Sequence, residues 1–243
     1  MYAKLLTLAG CFVFSLLCLT SSEVQAEENP LLNARQKSIV AIAAFTANGD
    51  LAKLKTAFSE GLATGLTVNE IKEILTQLYA YTGFPRSLNG INTFMAVMEE
   101  RQRNGIRDEP GKEASPMPPS LDRDRYGAET RAKLGGNVAV PPPSGYQLFA
   151  PAVDSFLKEH LFADIFYRDN FDWQSRELAT ISALAAMKGT EGQQRFHFNA
   201  AMNMGLSEGQ MADFLSVIAA QVGQAEADVS KKVLDSVLNG RKK

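Results

Sequence analysis

From Asn33 onward, apolar positions recur every three or four residues and β-type alternation is almost absent, a pattern that predicts helices. NARQKSIVAIAAFTANG reads as a first helix, capped by Asn33 and ended by Gly49. LAKLKTAFSEGLATG is a second, closed by Gly65. Thr67 with Glu70 forms a capping box that opens a third helix through Tyr81. GFP at 83–85 breaks the pattern, and a fourth helix runs from about Ser87 to Arg101.

The series returns from Asp172. DWQSRELATISALAAMKG is capped by Asp172 and closed by Gly189, QQRFHFNAAMNMG is closed by Gly205, and Ser207 with Gln210 forms a second capping box. Subtracting 140 superimposes the two series without a gap: Gly189 falls on Gly49, Phe198 on Phe58, Gly205 on Gly65, Leu206 on Leu66, Leu215 on Leu75 and Gly223 on Gly83. Matching caps and matching terminal glycines predict an all-α fold built from one helical unit written twice. Residues 27–103 form the first unit and 147–243 the second. Between them, residues 104–146 hold seven of the ten prolines and read as an extended connector. One helical piece, DRDRYGAETRAKLGG, interrupts it, and YQLFAPAVDSFLKEHLFADIFYR reads as an amphipathic helix leading into the second unit.

The N-terminus follows a different rule. Lys4 precedes LLTLAGCFVFSLLCL, then polar residues and VQA, so residues 1–26 read as a signal peptide cleaved after Ala26. This predicts export across an inner membrane to the periplasm, with no stable membrane span once the leader is removed. LAGC at 8–11 offers the alternative of lipidation at Cys11. Both cysteines, Cys11 and Cys18, lie in the leader, so the mature chain is expected to lack disulfides and thiol chemistry. A formal net charge of −2 gives no basic excess for nucleic acid.

AYTGFPRSLNGINTFMAVMEE in the first unit and RELATISALAAMKG with RFHFNAAMNMGLS in the second resemble the carboxymuconolactone decarboxylase family, which includes the alkylhydroperoxidase D-like proteins. YGAETRAKLGG and FYRDNFDWQSREL resemble the segment preceding the core of its single-domain decarboxylases. The resemblance implies paired helical units, self-association as a trimer of fused pairs, a small acid or lactone as substrate, and no cofactor. The peroxidase branch, with its peroxiredoxin-like activity, uses Cys-x-x-Cys four residues before a histidine. Counting back from His197, those positions hold Thr190 and Gln193, and in the first unit Asp50 and Lys53. Thiol peroxidase chemistry is therefore disfavoured.

The decarboxylase branch keeps a histidine and a preceding glutamate, which map to His197 and Glu177. The first unit has Ala57 and Lys37 there, yet keeps YTGFP, whose Tyr81 and Phe84 are candidate substrate contacts. Two readings of His197 stand together. It shares a helical stripe with Ala200, Ala201 and Met204, which suits a hydrogen-bonded core histidine. Paired with Glu177, it suits a general acid/base. Glu177 also lies close behind Asp172, where the helix dipole alone favours an acid. Arg176 and Arg195 are candidates for a substrate carboxylate, or ordinary solvated arginines. His160 reads as helix surface and Trp173 as a packing anchor. Two histidines without mature cysteines predict no metal site. The alternative to an enzyme is a non-catalytic oligomeric or binding module.

Overall fold

The computed structural model describes residues 31–242; the expected leader, with Lys4, Cys11 and Cys18, lies outside them. The helices are α1 (Ala34–Asn48), α2 (Leu51–Ala63), α3 (Val68–Arg103), α4 (Arg123–Leu134), α5 (Tyr146–Phe149), α6 (Pro151–Ser155), a π-helical stretch (Phe156–Ile165), α7 (Trp173–Ala185), α8 (Glu191–Asn203), α9 (Glu208–Gln221) and α10 (Gln224–Arg241). There is no strand among the described residues. No described helix is long and apolar enough to cross a membrane.

The duplication is written into the element boundaries. α2 and α8 start and end 140 residues apart, and α9 starts 140 residues after α3. Gly49 caps α1, whereas α7 ends earlier than expected, at Ala185 with Ala186 as its cap; Gly189, in the turn that follows, nonetheless shares φ +78° with Gly49. The capping boxes at Thr67/Glu70 and Ser207/Gln210 are both formed, as is a third at Asn33/Gln36. Within α3 the backbone leaves helical geometry at Gly83 (φ 76°, ψ 160°), a conformation that favours glycine, and Pro85 follows. The two limbs then fold together, with the Ser87 hydroxyl donating to the Leu75 carbonyl at 2.8 Å.

α1 and α7 form the centre. Ser38 to Ala47 and Ser175 to Ala185 are buried throughout, the first an almost wholly apolar run and the second burying Arg176 and Glu177 among apolar and small residues, and the two helices pack on each other. α3 packs on α7 and α9 on α1, so each unit completes the other across the pseudo-two-fold. One apolar core spans both units.

The connector is fastened rather than loose. Val68 and Asn69 donate backbone N–H groups to Glu109 and Pro110, and Asp169 accepts from Lys112 and Ser115. α4 crosses the π-helical stretch at Gly127, where a Cβ would collide with the Lys158 carbonyl. The amphipathic helix expected over the segment after the prolines is instead two short helices and the π-helical stretch. Bonding from i to i+5 widens each turn there and lets Leu161, Phe162, Ile165 and Phe166 all reach inward. With Leu134 and Ala200 they form a second, smaller apolar cluster, edged by Tyr79, Tyr81, Trp173 and Phe196. Trp173 anchors it, donating from its indole to the Phe166 carbonyl at 3.2 Å.

Candidate active site

His197 sits on α8 at the seam of the two clusters: Phe198 and Ala201 belong to the larger, Phe196 and Ala200 to the smaller. Asp172 caps α7 by accepting the Ser175 N–H at 2.8 Å, which starts the helix so that Glu177 turns inward. Glu177 is fully buried and His197 is 5% exposed. Glu177 Oε2 and His197 Nδ1 lie 2.7 Å apart. With Nδ1–H donating to the carboxylate, the neutral ring keeps its lone pair on Nε2, which no described protein group engages.

The third member comes from the other unit. The Tyr81 ring meets the His197 ring edge-on, with centroids 5.4 Å apart. Its hydroxyl is buried and has no hydrogen-bond partner; the same holds for Glu177 Oε1. Burial, and then the Glu177 charge, push the Tyr81 phenol far above its ordinary range, with the nearby Thr180 hydroxyl and Arg176 acting the other way. Tyr81 is therefore a hydrogen-bond donor at any working pH. A carboxylate, an imidazole oriented by it and a protonated phenol form a set able to move a proton and stabilise an oxyanion.

Three expected substrate contacts lie elsewhere. Arg176 is not solvated: it is 0% exposed, donating to Glu73 at 2.9 Å, to Gln77 at 3.0 Å and to the Arg168 carbonyl at 2.6 Å. Its guanidinium is committed to the α3–α7 contact. Arg195 is exposed and bonds Ser236 on α10, because two residues along a helix point about 200° away from His197. Phe84 is also outside, 63% exposed and stacked on Tyr79 at 4.6 Å. His160 is on the surface as expected, 2.9 Å from Asp164.

The residues that sequence reading missed are Glu73, Gln77 and Arg168. Gln77 donates to the Arg176 carbonyl and to Thr180, and Arg168 Nε donates to both Glu73 oxygens at 2.8 and 2.9 Å. Burial raises the Glu73 carboxyl, but Arg168 and Arg176 together outweigh it and hold the group below its ordinary value. Glu73, Gln77 and Tyr81 recur every four residues on one face of α3, so this network sets the register that brings Tyr81 to His197. That spacing was the available signal.

At the pseudo-symmetric position, Lys37 replaces Glu177, Ala57 replaces His197 and Gln221 replaces Tyr81. Lys37 pairs with Asp213 at 3.0 Å at the mouth of a cavity of about 300 Å³ that Gln221 also lines. No group of three or more His, Cys, Asp or Glu side chains gathers as a metal-binding cluster among the described residues.

A family model, that of the carboxymuconolactone decarboxylase family, matches residues 19–94 and 151–235. The chain belongs to this family. The two matched stretches fall on the two units, so the carboxymuconolactone decarboxylase fold is present here in tandem. No curated protein matches the chain. Within this family fold, the units contribute unequally: Glu177 and His197 come from the second, Tyr81 from the first.

Proposed function

We propose that the chain is an exported, cofactor-independent carboxy-lyase that acts on a small carboxylated lactone or related acid. One observation carries this reading: a buried carboxylate holds Nδ1 of a buried histidine at 2.7 Å, beside a phenol supplied by the other unit. Family membership supports the reaction class, and the charged, then apolar start of the sequence supports export to the periplasm.

In this reaction the bond between the substrate skeleton and its carboxylate breaks and carbon dioxide leaves. The electron pair remains on the skeleton as an enolate. Tyr81 donates a hydrogen bond to the enolate oxygen, while protonated His197 returns a proton to carbon from Nε2. Glu177 holds the imidazolium through Nδ1, and solvent replaces the proton delivered. Arg176 takes no part in binding the substrate carboxylate, since Glu73 already occupies it.

Release of carbon dioxide from a carboxylated lactone tests the reading. Replacing the histidine in His197→Ala lowers kcat/KM by about 10²–10⁴-fold, the usual worth of a positioned acid/base. Tyr81→Phe lowers kcat by roughly 10²-fold through loss of one oxyanion donor, with the fold intact by circular dichroism. Equal rates for wild type and His197→Ala remove the histidine from the mechanism.

A second reading is favoured by the near-complete enclosure of His197, which is 5% exposed. Here the chain is an assembly module and the Glu177–His197 bond is structural. His197→Ala then lowers the melting temperature with no turnover to lose.

A further inference from the structure

Glu177 and Tyr81 meet the His197 imidazole as members of the reacting set; a third side chain, Phe196, meets it without belonging to that set. The Phe196 ring lies edge-on to the imidazole, with centroids 5.1 Å apart. The same ring is half-buried and lines a cavity of about 170 Å³ between α8, α4 and the end of the connector. Phe196 is thus shared by a surface cavity and an enclosed histidine. The duplication ties its presence to that histidine. Where the second unit has Phe196 and His197, the first has Thr56 and Ala57, so both rings are lost together.

The cavity offers an anion a held cation. Arg131 of α4 lines it, together with Tyr146 and Gln147 of α5. Arg131 Nη1 donates to Asp154 at 2.6 Å and to the Tyr146 hydroxyl at 3.4 Å, while Nε and Nη2 engage no described group. Asp154 is shared, since Gln147 donates to it at 3.1 Å and Lys158 lies 3.5 Å from it. A guanidinium pinned through one nitrogen keeps planar donors for a carboxylate. The wall facing it is fastened to the helix that carries His197: Asn203 donates to the Leu134 carbonyl at 2.8 Å. Beyond, the prolines at 141–143 restrict the connector's path, and Pro141 lines the cavity. The geometry points to this cavity as the route by which substrate reaches His197, with Arg131 seating a carboxylate of the incoming acid and Phe196 as the door. It fills the role that Arg176 and Arg195 leave open. The motion required is a rotamer change of one half-buried ring. The inference rests on the reading of His197 as the reacting group.

Histidine alkylation tests this without turnover. On the purified chain, peptide mass spectrometry follows modification of its two histidines, His160 and His197, by iodoacetate and by neutral iodoacetamide. The free Nε2 lone pair displaces iodide from either reagent. In wild type, iodoacetate modifies His197 faster than iodoacetamide does. Arg131→Gln slows iodoacetate at His197 by roughly 10-fold or more, as for loss of one charged hydrogen-bond partner. It leaves iodoacetamide at His197, and both reagents at the exposed His160, unchanged. Phe196→Ala speeds both reagents at His197. Circular dichroism checks that each variant is folded. Where Arg131→Gln is not, Arg131→Lys carries the test, because it keeps a charge for Asp154 and loses the fork that slows iodoacetate when absent. In the decarboxylation assay, Arg131→Gln raises KM with kcat nearly unchanged. Turnover absent from wild type strikes the reaction and not the entry route, which alkylation reads on its own. Iodoacetate indifferent to Arg131→Gln, equal slowing of both reagents, or Phe196→Ala without effect on either overturns the inference.

Discussion

The two positions related by the duplication hold opposite kinds of polar pair. At one, Arg176 and Glu73 are 0% and 1% exposed and joined by hydrogen bonds to Gln77 and Arg168. At the other, the counterpart of Glu73 is Asp213, whose partner Lys37 keeps 42% of its side chain exposed beside an open cavity. Chain topology is the same in both places, so side-chain chemistry decides the outcome. Only the first position has a buried network fixing the helix from which Tyr81 projects. Only there do three proton-handling groups meet. The first position gathers Glu177, His197 and Tyr81 from both units, while its twin holds a lysine, an alanine and a glutamine.

The comparison breaks most sharply at Glu73. Glu73→Gln leaves the Arg176 guanidinium fully buried without a counter-charge. Breaking a buried pair from one side costs about 3–5 kcal/mol. Urea unfolding should show a loss in that range. A loss below ~1 kcal/mol would mean that the network does not hold α3 on α7.

Acid is the next lever. The Glu73 carboxyl is held below its ordinary value in the folded chain, so the folded state binds the proton less tightly than the unfolded one. Its contribution to stability is complete above the unfolded value near pH 4.5 and is lost as pH falls through the folded value. The stability gap between wild type and Glu73→Gln should therefore stay level from pH 5 to about 8 and narrow below about pH 4.5. Unfolding curves across that range read it directly. A gap that stays level down to about pH 2.5, or that narrows on the alkaline side, contradicts the assignment of the shift to this pair.

How legible these features were depends on how far apart their causes lie in sequence. Caps and terminal glycines act over three or four residues, so α1, α2, α7 and the 140-residue offset could be read directly. The π-helical stretch could not, because Leu161, Phe162, Ile165 and Phe166 are spaced equally well for an ordinary helix and only packing against α4 distinguishes the two. Glu177 and His197 came from the resemblance to the decarboxylase branch, whose histidine and preceding glutamate map onto them. Arg176 was misread as solvated or substrate-binding because its partner Glu73 is 103 residues away. Tyr81 reads as a candidate substrate contact, but its juxtaposition with His197 depends on how α3 lies on α7, which no local pattern encodes.

The smallest effect sharpens the contrast from the other side. Asp213→Asn removes the carboxylate facing Lys37 but keeps an oxygen able to accept the Leu32 N–H, now 3.0 Å from Asp213. Lys37 is half open to water, so losing its counter-ion costs about 0–1 kcal/mol, as for surface ion pairs. Measured in parallel, Asp213→Asn should leave the urea midpoint nearly unmoved where Glu73→Gln shifts it strongly. Salt should also erase most of the small Asp213 effect, since screening acts on exposed charges and leaves the enclosed Arg176–Glu73 pair largely untouched. Equal losses at Glu73 and Asp213 would mean that burial does not separate the two positions, and that α3 is held on α7 by apolar packing alone.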